Sequence, residues 1–188
     1  MLNDLRFLRD VCGIKTVLSL LDEKTNAFLD GKERRAIEQL NKEDPSRPMK
    51  LVEVPLKLSR GVSKEEYNKI LDTLNDSNNQ PVYVHCWQGR DRTGVACGIY
   101  RMLKYQNAGV DEIFAEMLHC KNSIDRKGNW GAILALNWHA NNTTNKDIVA
   151  YRNQHSAEVN KYADICNLPE NEKLPRLQQV AREAGLTW

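Results

Sequence analysis

Val82-Tyr83-Val84-His85-Cys86-Trp87-Gln88-Gly89-Arg90-Asp91-Arg92-Thr93-Gly94 is the stretch that decides the fold. It opens as a short apolar run rich in valine, the pattern of a buried strand, and the run stops at His85-Cys86. A polar loop containing one glycine follows. From Thr93 onward Val95, Ile99, Met102 and Leu103 recur at helical spacing, which predicts a helix over residues 93–106. The order is strand, loop, helix.

That order has a chemical consequence. No residue from 87 to 92 is proline, so every peptide in the loop keeps its N–H. Gly89 permits a left-handed turn that closes the loop into a ring. Ring amides and the positive end of the next helix then suit a phosphate monoester. Trp87, Gln88, Gly89, Arg90, Asp91 and Arg92 are the candidate phosphate-binding residues. Arg92 can turn its planar fork onto two phosphate oxygens. The same field favours the thiolate of Cys86, placed for in-line attack on phosphorus.

His85-Cys86, five intervening residues, then Arg92-Thr93-Gly94 resembles the signature of the cysteine-based protein tyrosine phosphatase superfamily. The resemblance implies a phosphocysteine on Cys86, a phosphoryl clamp at Arg92, and a Thr93 hydroxyl that helps the cysteine leave. It gives His85 the task of holding the cysteine and its charge. Residues 4–8, 13–18 and 54–56 look like early segments of compact dual-specificity-type phosphatases. The Asp91-Arg92-Thr93-Gly94 ending is similar to an atypical branch that includes bacterial tyrosine phosphatases and enzymes acting on phosphoinositides. The likeness covers about residues 4–120; residues 121–188 carry no recognisable motif.

The rest of the chain bounds the reading. Its 188 residues suit one domain, a motif-bearing part (1–120) with a helical C-terminal extension (121–188). Lys+Arg 27 against Asp+Glu 25 gives no argument for a nucleic-acid partner. Five cysteines at Cys12, Cys86, Cys97, Cys120 and Cys166 form neither a short disulfide framework nor a metal-type pair. Free thiols, no metal, no cofactor and a cytoplasmic setting are therefore expected. No apolar run approaches membrane-spanning length.

The pattern predicts a first amphipathic helix over residues 2–11, ending near Gly13, and a buried strand over 14–20. Asp30 with Glu33 reads as a capping box opening a helix to about residue 40. Residues 51–56 alternate and end near Pro55, a second strand. Ser63 with Glu66 is another capping box, for a helix to about residue 74. After the central strand only helical patterns appear, over 93–106, 110–118, 129–139, 145–166 and 174–184. Strands alternating with helices, then helices alone, argue α/β with a small, mainly parallel sheet flanked by helices. The loop would lie at a strand's carboxyl end, where such sheets place ligands. Gly94 and Gly98, one turn apart, would let the following helix pack closely on the sheet.

Breaking a phosphate ester leaves an alkoxide or phenoxide that needs a proton. Many members of the resembled family carry an aspartate for this in the loop after the second strand. Here that loop is Lys57-Leu58-Ser59-Arg60-Gly61-Val62-Ser63, with no acid. Asp91 is the first candidate donor, a carboxylate beside phosphate having reason for a raised pKa; a loop brace is its other reading. Asp22 is the alternative donor. Lys57 and Arg60 are candidate rim cations. Trp87 either walls the pocket or packs on the surface. His119, His139 and His155 read as helix-face residues, Trp130, Ile133, Leu134 and Trp138 as core, Lys121, Arg126 and Lys127 as a solvated loop, and Cys97 as buried and inert. The resemblance thus implies metal-independent phosphomonoester hydrolysis on a phosphorylated protein, with a phosphoinositide or inositol phosphate as alternative. A catalytically silent phosphate-binding module is the alternative of another class.

Overall fold

Three short apolar segments pair into one parallel sheet: β1 (Thr16–Ser19), β2 (Lys50–Glu53) and β3 (Val82–His85), in the order β2-β1-β3. Val17 lies opposite Leu51 on one side and Tyr83 on the other. The computed structural model describes residues 1–22, 31–57, 62–105, 108–119, 146–183 and 185. Two compact units emerge: Met1–Leu56 with Asn68–Gln88, and Lys57–Tyr67 with Gly89–Trp188. The expected helix over 129–139 and the loop residues Lys121, Arg126 and Lys127 lie outside the described residues.

The first unit holds the sheet, α1 (Leu2–Asp10), α2 (Lys32–Glu43) and most of α3 (Lys64–Asn75). β1 is buried at all four positions, as the middle strand of a parallel sheet must be. Leu5, Val17, Ala36, Ile37, Leu40 and Met49 form one core cluster joining α1, β1 and α2. Arg9 is buried with them, donating to the Leu40 carbonyl at 2.8 Å and to Asp10 at 2.7 Å. The chain leaves α1 through Gly13, whose φ of 70° suits glycine. Both strands before β3 are shorter than their apolar patterns. Pairing after β2 ends once Val54 has donated to Ser19 at 2.9 Å, because Pro55 has no N–H to continue.

The capping box expected at Ser63 and Glu66 forms. Ser63 and Glu66 cap the start of α3 reciprocally: Glu66 accepts from the Ser63 amide at 2.8 Å, and the Ser63 hydroxyl accepts from the Glu66 amide at 3.3 Å. Of the pair expected to cap the next helix start, Asp30 lies outside the described residues. Gly31 occupies the N-cap of α2 at φ 63° with no side-chain cap, and Glu33 has another partner.

The second unit is helical: the first turn of α3, then α4 (Asp91–Lys104), α5 (Val110–His119), α6 (Lys146–Gln154), α7 (Ser156–Cys166) and α8 (Glu170–Glu183). Gly98 sets the approach of α4 to α5, since a Cβ there would meet Ile113 Cγ2 at 3.2 Å. The close approach attributed to Gly98 is therefore made against a helix. Glu158 on α7 caps α5, accepting from the amides of Val110 at 2.7 Å and Asp111 at 3.2 Å. Phe114 stacks on Tyr162 at 4.4 Å, and the Tyr151 hydroxyl donates to the Ala108 carbonyl at 2.9 Å.

The single helix expected over 145–166 is two helices broken at His155. Its backbone leaves the helical region (φ −108°, ψ 26°) while its ring packs on Tyr151 at 4.4 Å. No glycine or proline marks that break. The last helix begins at Glu170, directly after Pro169, which cannot continue a preceding ladder. Cys97 is exposed, against expectation. Buried Val95, Ala96, Gly98, Ile99 and Met102 span one arc of α4. At about 100° per residue, position 97 points away from that arc.

Candidate active site

β1 pins the chain one residue before Cys86. The sheet register puts His85 opposite Ser19, and the Leu20 amide donates to the His85 carbonyl at 2.8 Å. Cys86 therefore sits at the carboxyl end of a paired strand, half-buried and in no disulfide. Trp87 is 55% exposed and Gln88 is exposed, so Trp87 is not a core residue.

His85 is held at both ring nitrogens. Its Nδ1 lies 3.2 Å from the Cys86 carbonyl oxygen. Its Nε2 lies 2.9 Å from Glu33 Oε1 in the first turn of α2, both side chains being mostly shielded. The Nε2–H does not aim squarely at that oxygen, so the contact is chiefly an ion pair. Tyr83, two residues back on β3, stacks on the ring at 5.4 Å. Burial pulls the imidazole pKa down. The hydrogen-bonding capacity and charge of Glu33 oppose this, helped by the Cys86 carbonyl and thiol, and leave it raised above its ordinary value. Glu33 is the site residue that the sequence conceals. Its position three residues after Asp30 reads as a cap, and no local pattern links it to β3.

Beyond Gln88 the chain turns at Gly89, whose φ of 70° is the left-handed turn expected there. Arg90 is the N-cap of α4, without a side-chain cap of its own. The helix starts at Asp91, two residues before the expected start. The first turn is polar and has no apolar periodicity to show it, yet Asp91 complements the positive end of the helix. The first intrahelical bond runs from the Gly94 amide to the Arg90 carbonyl at 2.8 Å, so the helix ladder does not consume the amides before it. Asp91 and Arg92 are both buried. Thr93 Oγ1 and Arg90 Nε are buried with no hydrogen-bond partner among the described residues.

Lys57 is exposed and Asp22 half-buried, while Arg60 lies outside the described residues. His155, expected on a helix face, instead sits at the break between α6 and α7, packing on Tyr151 and lying 3.7 Å from Glu158. The rings of His119 and His139 and the four residues from 130 to 138 read as core are not among the described side chains. Among the described residues no cluster of His, Cys, Asp or Glu could hold a metal ion, and no helix is long and apolar enough to cross a membrane.

A family model described as a DSP-PTPase phosphatase fused to NAD+ kinase matches residues 4–165. The match runs well past residue 120, where the recognisable motifs stop. No curated protein and no solved structure matches the chain.

Proposed function

The chain belongs to the family of DSP-PTPase phosphatases fused to NAD+ kinase, and from that premise we propose that it hydrolyses phosphate monoesters through a phosphocysteine at Cys86. The observation that carries this reading is the passage from β3 to α4. Cys86 follows the paired strand directly, and Arg92 lies in the first turn of the helix that begins at Asp91. A nucleophile, amides left over from a helix ladder and a guanidinium fall within seven consecutive residues.

In this mechanism the Cys86 thiolate attacks phosphorus as the ester P–O bond breaks, forming an S–P bond. Loop amides and Arg92 stabilise the charge on the equatorial oxygens. Asp91 is the candidate that gives the leaving oxygen its proton. Water then attacks phosphorus, the S–P bond breaks, and phosphate departs while Thr93 donates its uncommitted hydroxyl to the thiolate. The preferred substrate is a protein phosphorylated on tyrosine, or on both tyrosine and serine or threonine. Phosphoinositides or inositol phosphates are the second reading, supported by Arg90, whose buried Nε has a donor to spare, and by exposed Lys57.

Hydrolysis of a chromogenic aryl phosphate in EDTA tests the reaction. Cys86→Ser is expected to abolish turnover while phosphate binding survives. Arg92→Lys is expected to lose activity by about 100-fold or more, since an ammonium lacks the bidentate fork. Wild-type protein that binds phosphate without turnover would be a silent module. A panel of phosphopeptides and phosphoinositides then separates the two substrate classes.

A further inference from the structure

We propose that Glu33 is a positioning residue for the nucleophile: through His85 it holds a cation beside Cys86 and so keeps the thiol ionised. The proposal rests on reading Cys86 as the nucleophile and names what tunes it.

The geometry of the ring carries the argument. His85 Nδ1 faces the Cys86 carbonyl oxygen at 3.2 Å, and Nε2 faces Glu33 Oε1 at 2.9 Å. Both neighbours are acceptors. A neutral imidazole has one N–H, so either tautomer sets a lone pair against an oxygen. The imidazolium has two N–H groups: Nδ1–H can donate to the Cys86 carbonyl, and the positive charge faces the Glu33 carboxylate as an ion pair. At 16% exposure for His85 and 13% for Glu33, solvent screens the pair little. Among the described residues, the other groups facing the ring are the Tyr83 side chain, stacked on it from the same strand, and Cys86 itself. Neither supplies a carboxylate, so Glu33 is the group that stabilises the cation.

The direction of the effect follows from the order of charges. The positive ring lies next to Cys86, and the carboxylate lies at the opposite ring nitrogen. The nearer charge dominates, and a nearby cation favours a thiolate. Without Glu33, burial would pull the ring's pKa down and weaken the help to Cys86. The raised pKa of His85 agrees with this arrangement. The carboxylate acts through the ring, by setting its charge and its orientation.

The test is the pH dependence of Cys86 alkylation by iodoacetamide in the full chain, followed by peptide mass. Exposed Cys12 and Cys97 serve as internal controls. Glu33→Gln is expected to raise the alkylation midpoint of Cys86 by about one pH unit, slowing the reaction roughly tenfold on the acid side. The rate at high pH and both control thiols should be unchanged. Glu33→Asp should restore part of the shift, and in a His85→Asn background Glu33→Gln should add nothing. An unmoved midpoint, or an equal shift with His85 absent, overturns the proposal. An NMR titration of His85 in the wild-type protein covers the case of a variant that does not fold. A midpoint at or below about 6.5, the ordinary histidine value, would also overturn it. Alkylation does not depend on turnover, so a failed phosphatase assay with Cys86→Ser would sink the catalytic reading and leave this result to stand or fall separately.

Discussion

Two helix starts share a sequence signal, and their glutamates have different partners. Residues 63–66 and residues 30–33 both place an oxygen-bearing side chain three positions before a glutamate. At α3 the signal is realised: Ser63 and Glu66 satisfy each other's amides. At α2 the glutamate turns to His85 on β3, and Gly31 takes the N-cap in a left-handed conformation. A cap is worth about 1 kcal/mol and is replaceable by glycine at little cost. A histidine boxed in by acceptors has a stronger claim on a carboxylate, because leaving a buried donor unmet costs more. A local signal holds only until a distant partner outbids it.

The comparison can be broken at α2 first. Glu33→Ala is expected to lower stability by about 2 kcal/mol below pH 6, measured by urea denaturation, because it leaves a mostly buried ring cation without its counter-charge. The pH dependence has a definite sign. The His85 pKa is raised on folding, so the stability it contributes is fully present below its unfolded value, about 6.5. That contribution is lost as pH rises through the higher folded value. Denaturation midpoints of the wild type and Glu33→Ala should therefore converge in alkaline buffer. A gap that persists there would make Glu33 a packing residue.

A smaller loss is expected at α3. Ser63→Ala should cost about 1 kcal/mol, the ordinary worth of a cap. Because no histidine takes part, that cost should not follow the alkaline convergence seen for Glu33→Ala. Gly31→Ala at the start of α2 should cost about 1 kcal/mol as well, through its positive φ, even though a Cβ there meets only Arg35 Nη1 at 3.5 Å. Thermal melts of the two variants would show whether one helix start is held by hydrogen bonds and the other by backbone conformation. Equal tolerance of both substitutions would contradict the contrast.

The smallest effect is expected at Cys97. It is exposed on α4, so Cys97→Ser should change stability by less than about 0.5 kcal/mol. Mild peroxide should still inactivate the Cys97→Ser protein, with thiol restoring it, because the low-pKa thiol expected at Cys86 is the preferred target. Protection from peroxide in Cys97→Ser would show instead that the surface thiol carries the sensitivity.

What the sequence determined by itself was what neighbours along the chain can encode. Val82 to Val84 read as strand, Gly89 as a left-handed turn, Val95 to Met102 as a helix face, and Ser63 with Glu66 as a cap, and each of these is present. The parallel order of the sheet followed from helices alternating with strands. Tertiary structure alone decided the rest. It gave Glu33 to His85, turned Cys97 to the outside, closed Gly98 against Ile113, and broke the helix at His155 where the ring packs on Tyr151. The physical reason is that each depends on what the folded chain sets against a residue, whether a distant carboxylate, a neighbouring helix, a ring one turn away or solvent. The sequence patterns that locate strands, turns and caps carry no record of that.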